Sequence, residues 1–228
     1  MKKAALFLIV LFVTISYAQE IKQVPQISVT GEGKVKVVPD QASISISLET
    51  KGTNAGDVKK ENDKKIDAIL KFIKKSNIAK EDFQTQRVSL NPNYDYEKKK
   101  HNYVATQTIQ ILLKDLSKYD ELMEGIVEQG INRIDNVTFQ SSKLAQYQSE
   151  ARKLAMKEAK LKAEDYVSVL GQKVGRAMTI SDTSQANYPQ PVYASMKTMA
   201  MDAGAPRETL AIGEINITAN VNVSFILE

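Results

Sequence analysis

Alternation of apolar and polar residues is clearest near the carboxyl end of the chain. From Ile215 to Phe225 every odd-numbered residue is apolar, and every even-numbered residue between them is polar. A period of two residues predicts a half-buried β-strand, with one apolar face inside and one polar face outside.

A similar alternation of apolar and polar residues occurs in two segments between Ile27 and Leu48. Odd positions are mostly apolar from Ile27 to Val37, whereas even positions are apolar from Ala42 to Leu48. A straight strand would turn its apolar face to water at this switch, so we expect a break or bulge at Pro39. The Gly31–Gly33 pair of glycines predicts a turn within the first segment.

Three segments have the apolar spacing of amphipathic helices, at about residues 54–76, 116–130 and 145–170. The third carries alanine at every fourth position from Ala151 to Ala163, which would let it lie close against a neighbour. Gly171 follows this segment and is predicted to cap the helix.

A hairpin is predicted from Phe83 to Leu113, with a polar tip at residues 97–102. Shorter strands are expected around Val137 and at residues 174–181, followed by a long irregular loop at residues 182–210. Together these elements predict an α+β fold, with three amphipathic helices packed on a mixed, largely antiparallel sheet.

The amino-terminal residues have the order of a secretory signal. Lys2 and Lys3 precede the apolar run Ala4–Ile15, and small residues at Ser16 and Ala18 precede Gln19. This predicts a cleaved signal peptide at residues 1–18, a flexible leader at 19–26 and one domain at 27–228. The alternative is an uncleaved anchor, although the apolar run is shorter than the ~20 residues that span a bilayer.

Composition narrows the function. The chain has no cysteine, which excludes disulfides, thiolate nucleophiles and the usual structural zinc sites. Loss of Lys2 and Lys3 with the signal peptide lowers the formal net charge from +4 to +2. The remaining field is too weak to indicate nucleic-acid binding. We therefore expect neither a nucleic-acid partner nor a cofactor.

Several short motifs occur in a characteristic order along the chain. They are Val29–Gly33, Pro39–Asp40, Glu81–Thr85, Leu90–Tyr94, Tyr103–Thr106, Phe139, Glu150–Arg152, Gly171, Gly175, Gly213–Ile215 and Val221–Phe225. In order and spacing they resemble the SIMPL-domain family of bacterial envelope proteins, over about residues 27–228.

This resemblance implies a protein of the periplasm or cell envelope, with a possible outer-membrane association, and relatives that are immunogenic or relieve oxidative stress. Some relatives look like builders of ring-shaped or channel-like oligomers. The family has no established catalytic residues, so none is carried over. The resemblance implies only fold-specifying positions, which are Gly31, Gly33, Pro39, Asp40, Gly171 and Gly213.

Two other features of the sequence are candidate functional sites. His101 follows three lysines at the hairpin tip. We expect its side chain to be solvated there rather than to act as a sheltered base. The alternative is that the basic tip contacts anionic lipid. Met196, Met199 and Met201 could bind a soft metal or trap oxidants, or could pack adaptively on a partner. Metal ligation by these methionines is a weak candidate, because no histidine or cysteine is near.

We therefore expect a non-catalytic envelope protein that associates with itself, with peripheral membrane contact as a further possibility. The long, edge-capable carboxyl-terminal strand and the loop at 182–210 favour self-association. The alternatives are a stress-protective binder of metal or oxidant through the methionines, and a carboxylate-dependent envelope hydrolase using acids such as Glu81 and Asp82.

Overall fold

The computed structural model describes residues 24–97, 99–184, 190–192 and 210–228. Ala18 and Gln19 at the predicted cleavage point, most of the leader, and Met196, Met199 and Met201 lie outside these residues. The elements along the chain are β1 (Gln26–Val37), β2 (Gln41–Gly52), α1 (Ala55–Lys75), β3 (Phe83–Asp95), β4 (Lys100–Leu113), α2 (Tyr119–Glu128), β5 (Arg133–Gln140), α3 (Leu144–Ser168), β6 (Val174–Asp182), β7 (Gln190–Val192) and β8 (Glu214–Leu227).

The strands form two antiparallel sheets, each with helices on one face. The first sheet has the order β1-β8-β6, with β7 also paired to β8, and the second has the order β3-β4-β2-β5. The predicted α+β class is confirmed. The strands divide between two sheets rather than one, because the chain changes sheet at Pro39.

The change of sheet explains the switch in apolar parity. β1 buries odd positions and β2 buries even positions, so each strand keeps its apolar face against helices. The predicted break at Pro39 is confirmed, and Pro39 itself is buried. Asp40 then accepts hydrogen bonds from the Ser142 amide, at 2.7 Å, and hydroxyl, at 2.5 Å. This contact ties the crossing to the start of α3.

In the first layer, α3 packs against β1 and β8 at very short range. A Cβ built on Gly31 would lie 2.0 Å from the Ala155 carbonyl oxygen, and one on Gly33 would lie 1.9 Å from that of Ala151. Both glycines lie in the middle of β1, so the predicted turn at Gly31–Gly33 is wrong. Glycine there is needed for close approach to the alanine face of α3, which confirms the interpretation of that face.

The second layer packs α1 and α2 on β2 and β4 with large aliphatic side chains. Asn54 caps α1 by accepting hydrogen bonds from the amides of Gly56 and Asp57. Lys74 and Lys75 lie in the last turn of α1, where positive charge interacts favourably with the helix dipole. The buried residues of this layer include Ile44, Ile46, Leu48, Ile66, Ile69, Ile73, Ile109, Ile111, Leu122 and Ile126. Phe139 of β5 contacts the hydrophobic clusters of both layers, so the two cores are continuous.

The end of α3 follows the predicted cap. Gly171 has a φ of +66°, and the Gln172 amide donates to the Val167 carbonyl at 3.3 Å, as in a Schellman motif. Gly213 lies just before β8. Within the described residues, no helix has the length and apolar character to cross a membrane.

The alternating strand β8 is confirmed, but its position differs from the expectation. It lies between β1 and β6, so the proposed free edge for self-association is already paired. β6 pairs with β8 only at residues 221–227, and β7 pairs beside it at residues 214–216. Part of the predicted loop at 182–210 is thus a short strand that pairs with the first residues of β8.

Candidate interaction surface

The hairpin β3–β4 extends beyond the rest of its sheet. β2 ends at Gly52, opposite Tyr103, whereas β3 and β4 continue to pair as far as Asp95 and Lys100. We call the segment from Pro92 to Tyr103 the hairpin arm. An arm of two strands without further support is only marginally stable in water, which makes it a natural place for an additional contact.

A β-bulge sets the direction of the side chains on β3. The register shifts between Thr85 and Arg87, which leaves Gln86 as the extra residue. After the bulge, Leu90 lies opposite buried Ala105 and therefore shares the helix-covered face of the sheet. The helices do not reach this part of the face, and its apolar side chains remain exposed. We call this surface the arm face, and its members are Val88, Leu90, Pro92, Tyr94 and Tyr96.

The arm face is unusually open for apolar residues. Val88 is 66% exposed and Tyr96 is 84% exposed. The ring of Tyr94 meets that of Tyr96 edge to face, with 5.0 Å between centroids, and lies 4.9 Å from that of His101. Leu90 and Tyr94 remain 39% and 38% exposed, so the ring contacts leave part of this surface in water.

His101 lies on β4 directly opposite Tyr94, near the tip. Its ring is exposed, as are Lys99 and Lys100, which agrees with the expected solvated tip. Lys98 lies outside the described residues. The position offers His101 an aromatic neighbour but no sheltered reaction site.

A polar cluster that sequence reasoning missed lies on the outer face of the second sheet. Asp135 is the extra residue of a bulge in β5, and its carboxylate accepts a hydrogen bond from the buried hydroxyl of Ser47. Ser47 also contacts the Thr108 hydroxyl at 2.8 Å. Arg133 pairs with Asp135 at 2.9 Å. The alternation of serines in β2 was the available sequence signal.

This cluster has a serine and a carboxylate but not the histidine that would activate a nucleophile. Its charges are instead paired with one another. The hydrogen bond from Lys51, reinforced by the charges of Lys51 and Arg133, lowers the pKa of the Glu49 carboxyl. The arrangement is a partly exposed ion-pair network that links β2 and β5 beside their backbone ladder.

Other candidate residues gain ordinary partners. Asp82 forms an ion pair with Lys114 at 2.7 Å, whereas Glu81 is exposed. In the part of the chain that the structure describes, no group of three or more histidine, cysteine, aspartate or glutamate side chains is placed to hold a metal. The three methionines of the proposed soft-metal site lie outside that part.

A shallow cleft lies at the carboxyl end of α1, with a volume of about 290 Å³. Its lining includes Asn77, Asp82, Lys114, Asp115 and Lys118. The acidic and basic groups balance, so the cleft has no preference for a charged ligand. The arm face is one of the regions where large apolar side chains are exposed together in sequence; another includes Val169 and Leu170 after α3, at 83% and 69% exposure.

Comparison with known proteins finds a family and relatives that match nearly the whole chain. The family model of SIMPL, described as a protein of unknown function (DUF541), matches residues 27–225. An uncharacterized protein, YggE, of Escherichia coli K12 is 28% identical over 214 residues, covering 92% of this chain and 87% of that protein. A 26 kDa periplasmic immunogenic protein of Brucella melitensis is 27% identical over 225 residues, covering 92% and 89%.

Proposed function

The chain belongs to the SIMPL family, and from this premise we propose that it is an exported, non-catalytic protein of the cell envelope that acts through self-association. The predicted signal peptide and the periplasmic relative from Brucella melitensis support the location. The proposal of a non-catalytic role is supported by the ion pair that Asp135, the hydrogen-bond partner of Ser47, forms with Arg133, and by the exposed position of His101.

The exposed arm face is the observation that carries the proposal. Val88 is 66% exposed and Tyr96 is 84% exposed, and with Leu90, Pro92 and Tyr94 they lie on alternate positions along one side of the hairpin. Contiguous apolar strips on soluble proteins typically mark interaction sites. Tyrosine is also favoured in protein interfaces, where its ring supplies contact area and its hydroxyl stays hydrated.

The low net charge favours contact between like copies. Removal of the two signal-peptide lysines leaves a formal net charge of +2 on about 210 residues. Long-range repulsion between two copies is therefore weak, whereas a strongly charged chain would be kept monomeric.

The direct test is the mass of the chain from Gln19 onward, measured by size-exclusion chromatography with light scattering between 1 and 100 µM, on the order of the affinities expected of such contacts. We expect an oligomer that is weakened at least ~10-fold by Val88→Ser with Tyr96→Ser. Val169→Ser is the matched control, because Val169 is 83% exposed but lies at the end of α3. A monomer across the whole range would contradict the proposal.

We also propose that the protein has a role in envelope or oxidative stress, and this part of the proposal rests on the family resemblance. Cells that lack the protein should survive peroxide less well, and the arm-face variant should fail to restore survival. Full rescue by that variant would separate stress protection from self-association.

A further inference from the structure

We propose that two copies pair through β3 in an antiparallel, two-fold arrangement, with Asn91 of one copy opposite Asn91 of the other. The inference rests on the proposed self-association and names its contact. It follows from the free edge of β3, from the bulge at Gln86 and from the order of residues between Arg87 and Asp95.

β3 is an edge strand. Its other side pairs with β4 along its length, and in the described residues no strand pairs with its outer edge. An edge strand presents unpaired N–H and C=O groups, which make it a template for a further strand. From Val88 to Asn91 this edge carries no charged residue that would prevent pairing.

The bulge defines which part of β3 can pair. It bends the strand at Gln86 and leaves a regular segment of nine residues, Arg87–Asp95, with one continuous alternation of faces. A second strand that follows the regular ladder should therefore overlap this segment. Its centre is Asn91.

The charges at the two ends of the segment fix the register. When two copies of Arg87–Asp95 lie antiparallel about Asn91, Arg87 of each copy lies opposite Asp95 of the other. Facing residues of antiparallel strands share one side of the sheet, so the two charges meet directly. The two-fold axis repeats this pair at both ends.

The apolar residues match in the same register. Val88 lies opposite Tyr94 of the second copy, and Leu90 lies opposite Pro92, all on the side of the arm face. A shift by one residue would place these side chains against polar ones, because it exchanges the two faces. A shift by two residues in one direction would set Pro92 opposite Pro92 of the second copy. The same shift in the other direction would set Arg87 opposite Asn93. In both cases Arg87 would no longer face Asp95.

Pairing would also support the arm. Residues 92–95 of each arm would lie beside residues 87–90 of the other copy, where β4 and β2 continue the sheet, so the arm would join a wider sheet that is more stable than a lone hairpin. Pro92 lacks an N–H and removes one donor from each strand. The contact should therefore be reversible rather than permanent.

The absence of native cysteine allows a direct test of the register. In full-length mature Asn91→Cys, the two thiols would face each other at a Cα separation of about 4.5–5.5 Å, which a disulfide can bridge. In the control Ser89→Cys, the two thiols would be separated by roughly 13 Å along the strands. We expect disulfide-linked dimer at least ~10-fold faster for Asn91→Cys than for Ser89→Cys, and equal rates would overturn the inference.

Charge exchange provides a second, independent measurement. Arg87→Asp and Asp95→Arg should each raise the dissociation constant of the dimer at least ~10-fold, because each sets like charges opposite one another. The double variant should return close to the original value. An oligomer that neither single variant weakens would overturn the β3 contact while leaving self-association intact. A monomeric parent chain would overturn both proposals.

Discussion

The two layers of this protein pack helices on a sheet with side chains of different size. In the first layer, α3 presents alanines to a strand that has glycine at residues 31 and 33, so helix and strand backbones nearly touch. In the second layer, α1 and α2 hold their sheet through isoleucine and leucine side chains. The first layer should therefore be sensitive to added atoms and the second to removed atoms.

The difference also bears on the proposed function. The close contact of α3 with β1 and β8 covers the middle of the first sheet. In the second layer the helices cover β2 and β4, but the face continues onto β3, where Val88 and Leu90 remain exposed. The surface that we propose for self-association is thus the uncovered continuation of the aliphatic core face.

Removing atoms from the second layer should have the largest effect. Ile109 is fully buried on β4, and Ile109→Ala should lower the free energy of unfolding by about 4 kcal/mol, because it loses burial and leaves a cavity. Urea unfolding monitored by circular dichroism measures this change. Ile109→Val is the matched control, with an expected loss of about 1 kcal/mol. Similar losses for the two variants would contradict this account of the layer.

Adding one methyl group should be the most damaging small change in the first layer. Gly33→Ala would bring a Cβ to 1.9 Å from the backbone carbonyl of Ala151, and backbone cannot move aside as a side chain can. We expect a loss of about 3 kcal/mol in the same urea measurement. Lys34→Ala, at the next and exposed position, should change stability by less than about 0.5 kcal/mol. A loss below about 1 kcal/mol for Gly33→Ala would mean that α3 can retreat at little cost.

These two layers also show what the sequence could reveal. The alternation of β8 and the apolar stripe of α1 predict their elements, because local periodicity decides which residues face inward. Periodicity does not reveal neighbours, so β8 was expected at an edge although it lies in the centre. The prediction of a turn at Gly31 and Gly33 is wrong for the same reason, since the atoms that require glycine there belong to α3, more than 110 residues later in the sequence.

The candidate site was less accessible to sequence reasoning than the fold. Tyr94, Tyr96 and Tyr103 are close together in the sequence, but their exposure depends on where β2 and the helices end. The bulge at Gln86, which brings Val88 and Leu90 to the apolar face, has no simple sequence signal. The ion pairs of Arg133 with Glu49 and Asp135 likewise depend on strand register, which comes from pairing between distant segments.

The end of α3 provides a milder test of the first layer. Gly171 has a φ of +66°, and an added Cβ would have open space there, so only the backbone would be strained. Gly171→Ala should lower the free energy of unfolding by about 1 kcal/mol. Gly171→Asn should lose less, because asparagine tolerates the left-handed conformation better. An equal loss for both variants would point to a contact of the glycine rather than to its backbone.

The smallest effect should come from the contact that joins the layers. The Ser142 hydroxyl, followed by its amide, lowers the pKa of the Asp40 carboxyl below its usual 3.8. A lowered folded-state pKa means that the stabilisation is present above pH ~4 and is lost as pH falls through the folded value. Because Asp40 is exposed, solvent screening should keep the contribution below about 1 kcal/mol.

Urea unfolding of the parent chain and of Ser142→Ala between pH 2.5 and 6 can detect this small contribution, since only their difference is needed. The two curves should differ most near neutral pH and converge at the acid end. The carboxyls of Glu49 and Glu158, whose pKa values are also lowered, are common to both chains and cancel in the difference. A constant offset at every pH would mean that Ser142 joins the layers through packing alone, and that the Asp40 charge has no part in holding the crossing at Pro39.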